Sequence, residues 1–168
     1  MMRRVVADSV AYGTTTIASR ATLLVALLVL PFILTPRDYG ALGMLDTIAA
    51  LVATVNPLEV AQGLARHYAP AAPGEKKVWA GTAGTFLLLM LAGFLILGQA
   101  FAEPLCRLVL GDPSYLAAFR VALVFMTLNC LFLFLQSQCR WEFRTAEYVL
   151  ITLVFGFLVP IFLLALAL

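Results

Sequence analysis

An all-α bundle that crosses a lipid bilayer several times is the architecture this chain's composition imposes, and three features impose it. Hydrophobic residues fill 63% of the 168 positions and charged residues 12%, whereas soluble domains carry roughly 45–50% and 25%. Mean hydropathy is +1.01. The apolar residues run in long stretches without two-residue alternation, which disfavours barrel strands and leaves helices, whose backbone groups are satisfied internally. A soluble enzyme domain, a disordered chain and a collagen-like repeat are excluded on the same grounds. The net charge of +2 is too small to point to nucleic acid, and three cysteines, an odd count, supply no disulfide framework.

Five apolar segments reach the ~20 residues that a helix needs to cross the hydrocarbon core; they cover about 14–34, 41–62, 78–101, 115–136 and 148–168. The second is expected to continue as a helix toward Tyr68. Turn chemistry separates them: Thr35-Pro36-Arg37-Asp38-Tyr39-Gly40 reads as a tight hairpin, Ala69 to Glu75 is rich in Pro and Gly, and Leu110-Gly111-Asp112-Pro113-Ser114 closes the third link. The link from Gln138 to Glu147 has neither Pro nor Gly and reads as a helix along the membrane surface, with Trp141 and Tyr148 at headgroup level.

Basic residues divide unequally between the two sides. Seven (Arg3, Arg4, Arg66, Lys76, Lys77, Arg140 and Arg144) fall on one side and two (Arg37 and Arg107) on the other, which predicts a cytoplasmic N-terminus. Asp8 and Arg20 interrupt any signal-peptide pattern and no A-x-A-like site follows Leu30, so the first helix is expected to stay uncleaved. The chain stops at Leu168 inside its last apolar run, and it is expected to be part of a longer protein.

Charged side chains at membrane depth cost about 2.5–3.5 kcal/mol each on insertion scales, so each requires a reason. Arg20 lies about two turns into the first span, on a face with Gly13, Thr16, Ile17, Leu24, Leu27 and Pro31. It either points into a polar cavity or snorkels to the headgroups. Glu59, Gln62 and Arg66 follow at i, i+3 and i+7 on one face of the second span; Glu59 is expected to pair with Arg20 or to share a water-filled cavity with it, and Arg66 reads as interfacial. Asp46 reads as an acid near the positive start of its helix, or as the lining of an outward vestibule. Arg120, about one turn into the fourth span, is again open to snorkelling or to a cavity role. Pro31, Pro57 and Pro160 interrupt spans, and Asn56 is placed to bond backbone freed by Pro57. The cavity candidates are therefore Arg20, Asn56, Glu59, Gln62 and Arg120.

No catalytic residue, cofactor or metal site is expected. The single histidine, His67, has no His or Cys at ligand spacing, and the chain lacks P-loop, G-x-G-x-x-G, H-E-x-x-H and G-x-S-x-G patterns.

Several of these pieces together resemble the N-terminal part of bacterial polysaccharide or oligosaccharide flippases, of the multidrug/oligosaccharidyl-lipid/polysaccharide exporter superfamily. They are Ser19-Arg20 in the first span, the hairpin Leu34 to Gly40, the ending Gly63-Leu64-Ala65-Arg66-His67-Tyr68, and the link Gln138-Cys139-Arg140-Trp141-Glu142-Phe143-Arg144. The resemblance implies an incomplete six-helix lobe, with a sixth span and a second lobe supplied by further sequence or another chain. It implies an inner-membrane protein whose substrate is a lipid-diphosphate-linked oligosaccharide, moved between leaflets for polysaccharide biosynthesis, with Arg20 the best matched to a cationic cavity. Glu59 departs from the pattern, where relatives often carry a small residue. Two alternatives stand beside this one: a drug or cation antiporter of the same superfamily, relying on Glu59 and Asp46, and a non-transporting membrane scaffold of envelope assembly.

Overall fold

The computed structural model describes residues 2–55, 60–68, 71–142 and 144–167. Among them every regular element is helical. In chain order they are α1 (Met2–Ile33), α2 (Pro36–Val55), α3 (Val60–Tyr68), α4 (Pro73–Ala100), α5 (Ala102–Leu110), a 3₁₀ turn (Pro113–Tyr115), α6 (Leu116–Trp141) and α7 (Thr145–Ala167). Among the described residues four stretches are long and apolar enough to cross a membrane: Gly13–Ile33, Pro36–Val55, Gly74–Ala100 and Pro113–Arg140. The fifth expected span falls in α7. The chain is thus a multi-pass helical membrane protein.

The apolar residues are turned outward, as lipid-facing helices require. No described residue of α2 is buried. Phe32 is 90% exposed, and Ile17, Leu28, Leu89 and Val121 are also largely uncovered. A soluble protein rarely exposes apolar patches beyond a few hundred Å², so lipid is the solvent that fits these faces.

Three sequence expectations change. The second span begins earlier than expected: α2 starts at Pro36, its described part reaches Val55, and α3 covers Val60–Tyr68. The early start has a local cause. The Thr35 hydroxyl donates to Asp38 Oδ2 at 2.6 Å, and the Asp38 N–H donates to the Thr35 oxygen at 3.3 Å. Thr35 is therefore the N-cap, Pro36 occupies the first helical position without losing a needed N–H, and Asp38 sits at the positive helix end. Thr35→Ala is expected to cost about 1 kcal/mol, read as a lower unfolding midpoint in detergent, with Thr35→Ser near wild type.

The expected surface helix over 138–147 is divided instead between the end of α6 at Trp141 and the start of α7 at Thr145. Finally, α5 is an element the sequence reading did not anticipate. It buries Ala102 and Cys106 on one side and ends at Gly111. Gly111 adopts φ 69° and its N–H donates to the Arg107 carbonyl at 3.1 Å, a left-handed C-terminal stop that glycine adopts without strain. Asp112 then accepts from the Ser114 N–H at 2.8 Å, which starts the next turn.

The packing divides the chain into two units, Met1–Gly40 with Gln136–Leu168, and Ala41–Leu135. In the first, α1 packs along α7. Thr15, Leu30, Ser137, Tyr148 and Thr152 are buried there, and Gln136 Nε2 donates to the Thr152 hydroxyl at 2.7 Å. A cross-helix side-chain bond of this kind suits a membrane, where polar side chains hold helices that apolar burial alone does not. Gly156 lies against Ser19 so closely that a Cβ there would sit 2.5 Å from the Ser19 Cβ.

In the second unit the core is Ala102, Cys106, Phe119, Leu123 and Met126, with Phe94, Leu95 and Val52 packed on it. Small residues permit the approach. A Cβ at Gly98 would stand 3.3 Å from the Leu123 methyls, and the Gln99 side chain donates to the Arg120 carbonyl at 3.0 Å, which ties the end of α4 to α6.

Candidate functional site

Arg20 lies in α1, seven residues beyond Gly13, where the apolar stretch begins, or about 10 Å along the axis at 1.5 Å per residue. Its side chain is exposed. Neighbours on its face, Ile17, Leu24 and Leu28, are exposed as well, whereas Ser19, one position away, lies against Gly156 of α7. Arg20 therefore projects away from the α7 contact, about a quarter-turn round the helix from Ser19. Among the described residues its guanidinium has no hydrogen-bond or ion-pair partner.

Arg120 and Gln62 belong to the other unit, and both side chains are exposed. Arg120 sits in the second turn of α6, next to buried Phe119. Its backbone carbonyl is engaged by Gln99, while its guanidinium has no partner among the described residues. Gln62 stands in α3 and shares no hydrogen bond with Arg120. Asn56 and Glu59, and with them the expected Arg20–Glu59 pair, lie outside the described residues.

Asp46 changes its meaning. With α2 starting at Pro36, it stands ten residues in, about 15 Å along the axis, far beyond the first turn in which the helix dipole acts. Asp38 holds the dipole position instead. Asp46 is exposed and, among the described residues, has no partner, which makes it an intramembrane carboxylate of the kind usually tied to function.

The connections collect the remaining charge. Where α3 meets α4, the His67 ring stacks on Trp79 with centroids 5.2 Å apart and planes 14° apart. The Lys76 ammonium lies 5.2 Å over the buried Tyr68 ring. Arg66 and Lys77 are exposed beside them. Glu75, the nearby acid, accepts from the Ala72 N–H at 3.2 Å and so caps α4. Between α6 and α7, Arg144 pairs with Glu147 and lies 3.6 Å from Glu142; the hydrogen bond and charge of Glu147, then the charge of Glu142, raise its guanidinium above the ordinary value. Arg140 stacks 6.0 Å over Tyr148. Trp and Tyr rings concentrate at membrane–water interfaces.

Neither a family model, nor a curated protein, nor a solved structure matches the chain.

Proposed function

We propose that the chain forms part of a transporter that moves a lipid-diphosphate-linked oligosaccharide across a bacterial inner membrane, with α7 as its fifth span and the N-terminus cytoplasmic. The observation that carries this reading is Arg20, a guanidinium about 10 Å into an apolar helix with no counter-ion among the described residues. An arginine at that depth costs about 2.5–3.5 kcal/mol to insert. A diphosphate headgroup offsets the cost, because its oxygens accept the paired N–H groups of the guanidinium fork. The motifs around Ser19-Arg20, the Thr35 to Gly40 connection and the Arg66 to Tyr68 ending support the same assignment. The seven-to-two distribution of basic residues supports the orientation.

The test is binding by the chain purified in detergent. A polyprenyl-diphosphate-linked disaccharide is expected to bind at least tenfold more weakly to Arg20→Ala than to wild type, with Arg20→Lys in between because it keeps the charge and loses the fork. A zwitterionic phospholipid is expected to bind both forms alike. Equal binding of the diphosphate by wild type and Arg20→Ala overturns the reading.

Asp46 supports a second reading, a cation-coupled antiporter, because a carboxylate at membrane depth is the group such coupling titrates. The two part cleanly. In the antiporter, Asp46→Asn abolishes pH-dependent cation or drug binding and Arg20→Ala is tolerated; in the flippase, the order reverses.

A further inference from the structure

The helix α5 presents three different sides. At 3.6 residues per turn, Ala102, Cys106 and Val109 fall on one, Glu103 and Arg107 on a second, and Leu105 and Leu108 on a third, the three centred roughly 120° apart. The first side belongs to the core: Ala102 and Cys106 are fully buried in one cluster with Phe119 and Leu123, and Val109 packs on it. The second carries an ion pair in the open, Glu103 with Arg107. The third is apolar and uncovered, with Leu108 82% exposed and Leu105 and the adjoining Phe101 exposed as well. We propose that α5 lies in the plane of the membrane surface, at the end of α4 remote from Lys76 and Lys77. Phe101, Leu105 and Leu108 sink into that leaflet, and Glu103 and Arg107 face water.

Length gives the first reason. The span Gly74–Ala100 has 27 residues and measures about 40 Å at 1.5 Å per residue, already more than the ~30 Å of hydrocarbon. The helix α5 starts at Ala102, just past that span, so it begins where the hydrocarbon has been left. Were it to run straight on, Leu108 would stand about 12 Å beyond Ala100, in water.

The bend gives the second. The chain leaves helical geometry at Phe101, with φ −100° and ψ 16°, far from the ψ of about −42° that an α-helix holds. The cause is local. Pro104 has no N–H to offer the Ala100 carbonyl, and its ring crowds that oxygen. The break therefore falls where a helix must turn to lie along a surface.

Charge gives the third. A helix lying in the interface keeps its polar side away from its lipid side, as the ion pair and the leucines of α5 are kept. A place within the hydrocarbon would carry Glu103 and Arg107 into it at high cost. A second copy of the chain fits this face poorly, since three side chains supply little of the roughly 800 Å² per partner that a stable dimer buries.

The test places one tryptophan on either side of α5. The full chain carries Trp79→Phe and Trp141→Phe, with Leu108→Trp or Arg107→Trp added, in phosphatidylcholine vesicles; circular dichroism confirms the fold. Leu105→Trp gives the same reading where Leu108→Trp yields too little folded protein. Phosphatidylcholine brominated on its acyl chains is expected to remove at least half of the Leu108→Trp emission. Iodide, present on both sides of the membrane, should quench Arg107→Trp at least threefold more than Leu108→Trp. Leu108→Trp open to iodide would place α5 in water. Equal quenching of both positions by the brominated lipid would place it within the hydrocarbon. Leu108→Trp shielded from both quenchers would mean that protein, a second copy or a further segment, covers the face. Each of these three results overturns the proposal.

Discussion

Replacing Gly156 with leucine is expected to separate α1 from α7 and to leave little folded protein. The contact has no slack. A Cβ at position 156 would fall 2.5 Å from the Ser19 Cβ, 3.2 Å from its hydroxyl oxygen and 3.3 Å from its Cα. The last of these is backbone, so rotation of the serine side chain does not relieve it. In lipid, helices associate through close packing and cross-helix hydrogen bonds, and small residues set how near the backbones come. Gly156→Ala alone should destabilise by about 1–3 kcal/mol, the usual cost of overpacking, because the helices must part or shift. The same movement would stretch the bond from Gln136 to Thr152. The compensating pair is informative: Ser19→Gly with Gly156→Ala removes the Cβ that clashes and should recover most of the loss. Unfolding in mixed micelles, followed by circular dichroism and protease resistance, reads both effects. If Gly156→Ala unfolds at the wild-type midpoint, the helices do not pack as closely as this contact requires.

The helices were legible because composition and long apolar runs need no tertiary information, and their class follows from the solvent that such surfaces demand. Boundaries were legible where a local cap exists. Thr35-Pro36 and Gly111-Asp112 act as stop and start signals in the structure, although Tyr39-Gly40 reads as turn in the sequence and is already helical in α2. That shift of four or five residues is what moved Asp46 from a helix start to membrane depth. The helix α5 went unseen because nine residues between two strong spans carry a weak signal. Its pattern was nonetheless present: Ala102, Cys106 and Val109 repeat at helical spacing, and Glu103 with Arg107 forms an i,i+4 ion pair. The stack of His67 on Trp79 and the seat of Lys76 over Tyr68 could not be read from spacing, because each joins two helices.

Phe119→Ala should also destabilise strongly, and the size of the loss reports which solvent the second unit is balanced against. Phe119 is 3% exposed in the cluster with Ala102, Cys106, Leu123 and Met126. In a water-soluble protein its truncation costs about 3–5 kcal/mol, the sum of lost transfer energy and a cavity term. A ring that leaves lipid rather than water gains little by transfer, since acyl chains are as apolar as the core. What remains is the loss of dispersion contacts around the void. The expected cost is therefore about 2 kcal/mol, below the soluble range. Phe119→Leu should recover at least half of it by refilling most of the space. Apolar occupancy offers an independent check: a cavity lined by Leu123, Met126 and Ala102 should take up benzene or xenon and regain stability, as dry engineered cavities do. A loss of about 4 kcal/mol or more would place this cluster against water, and with it the end of α6 that carries Arg120. A loss near zero would mean that Phe119 is not packed in a core at all.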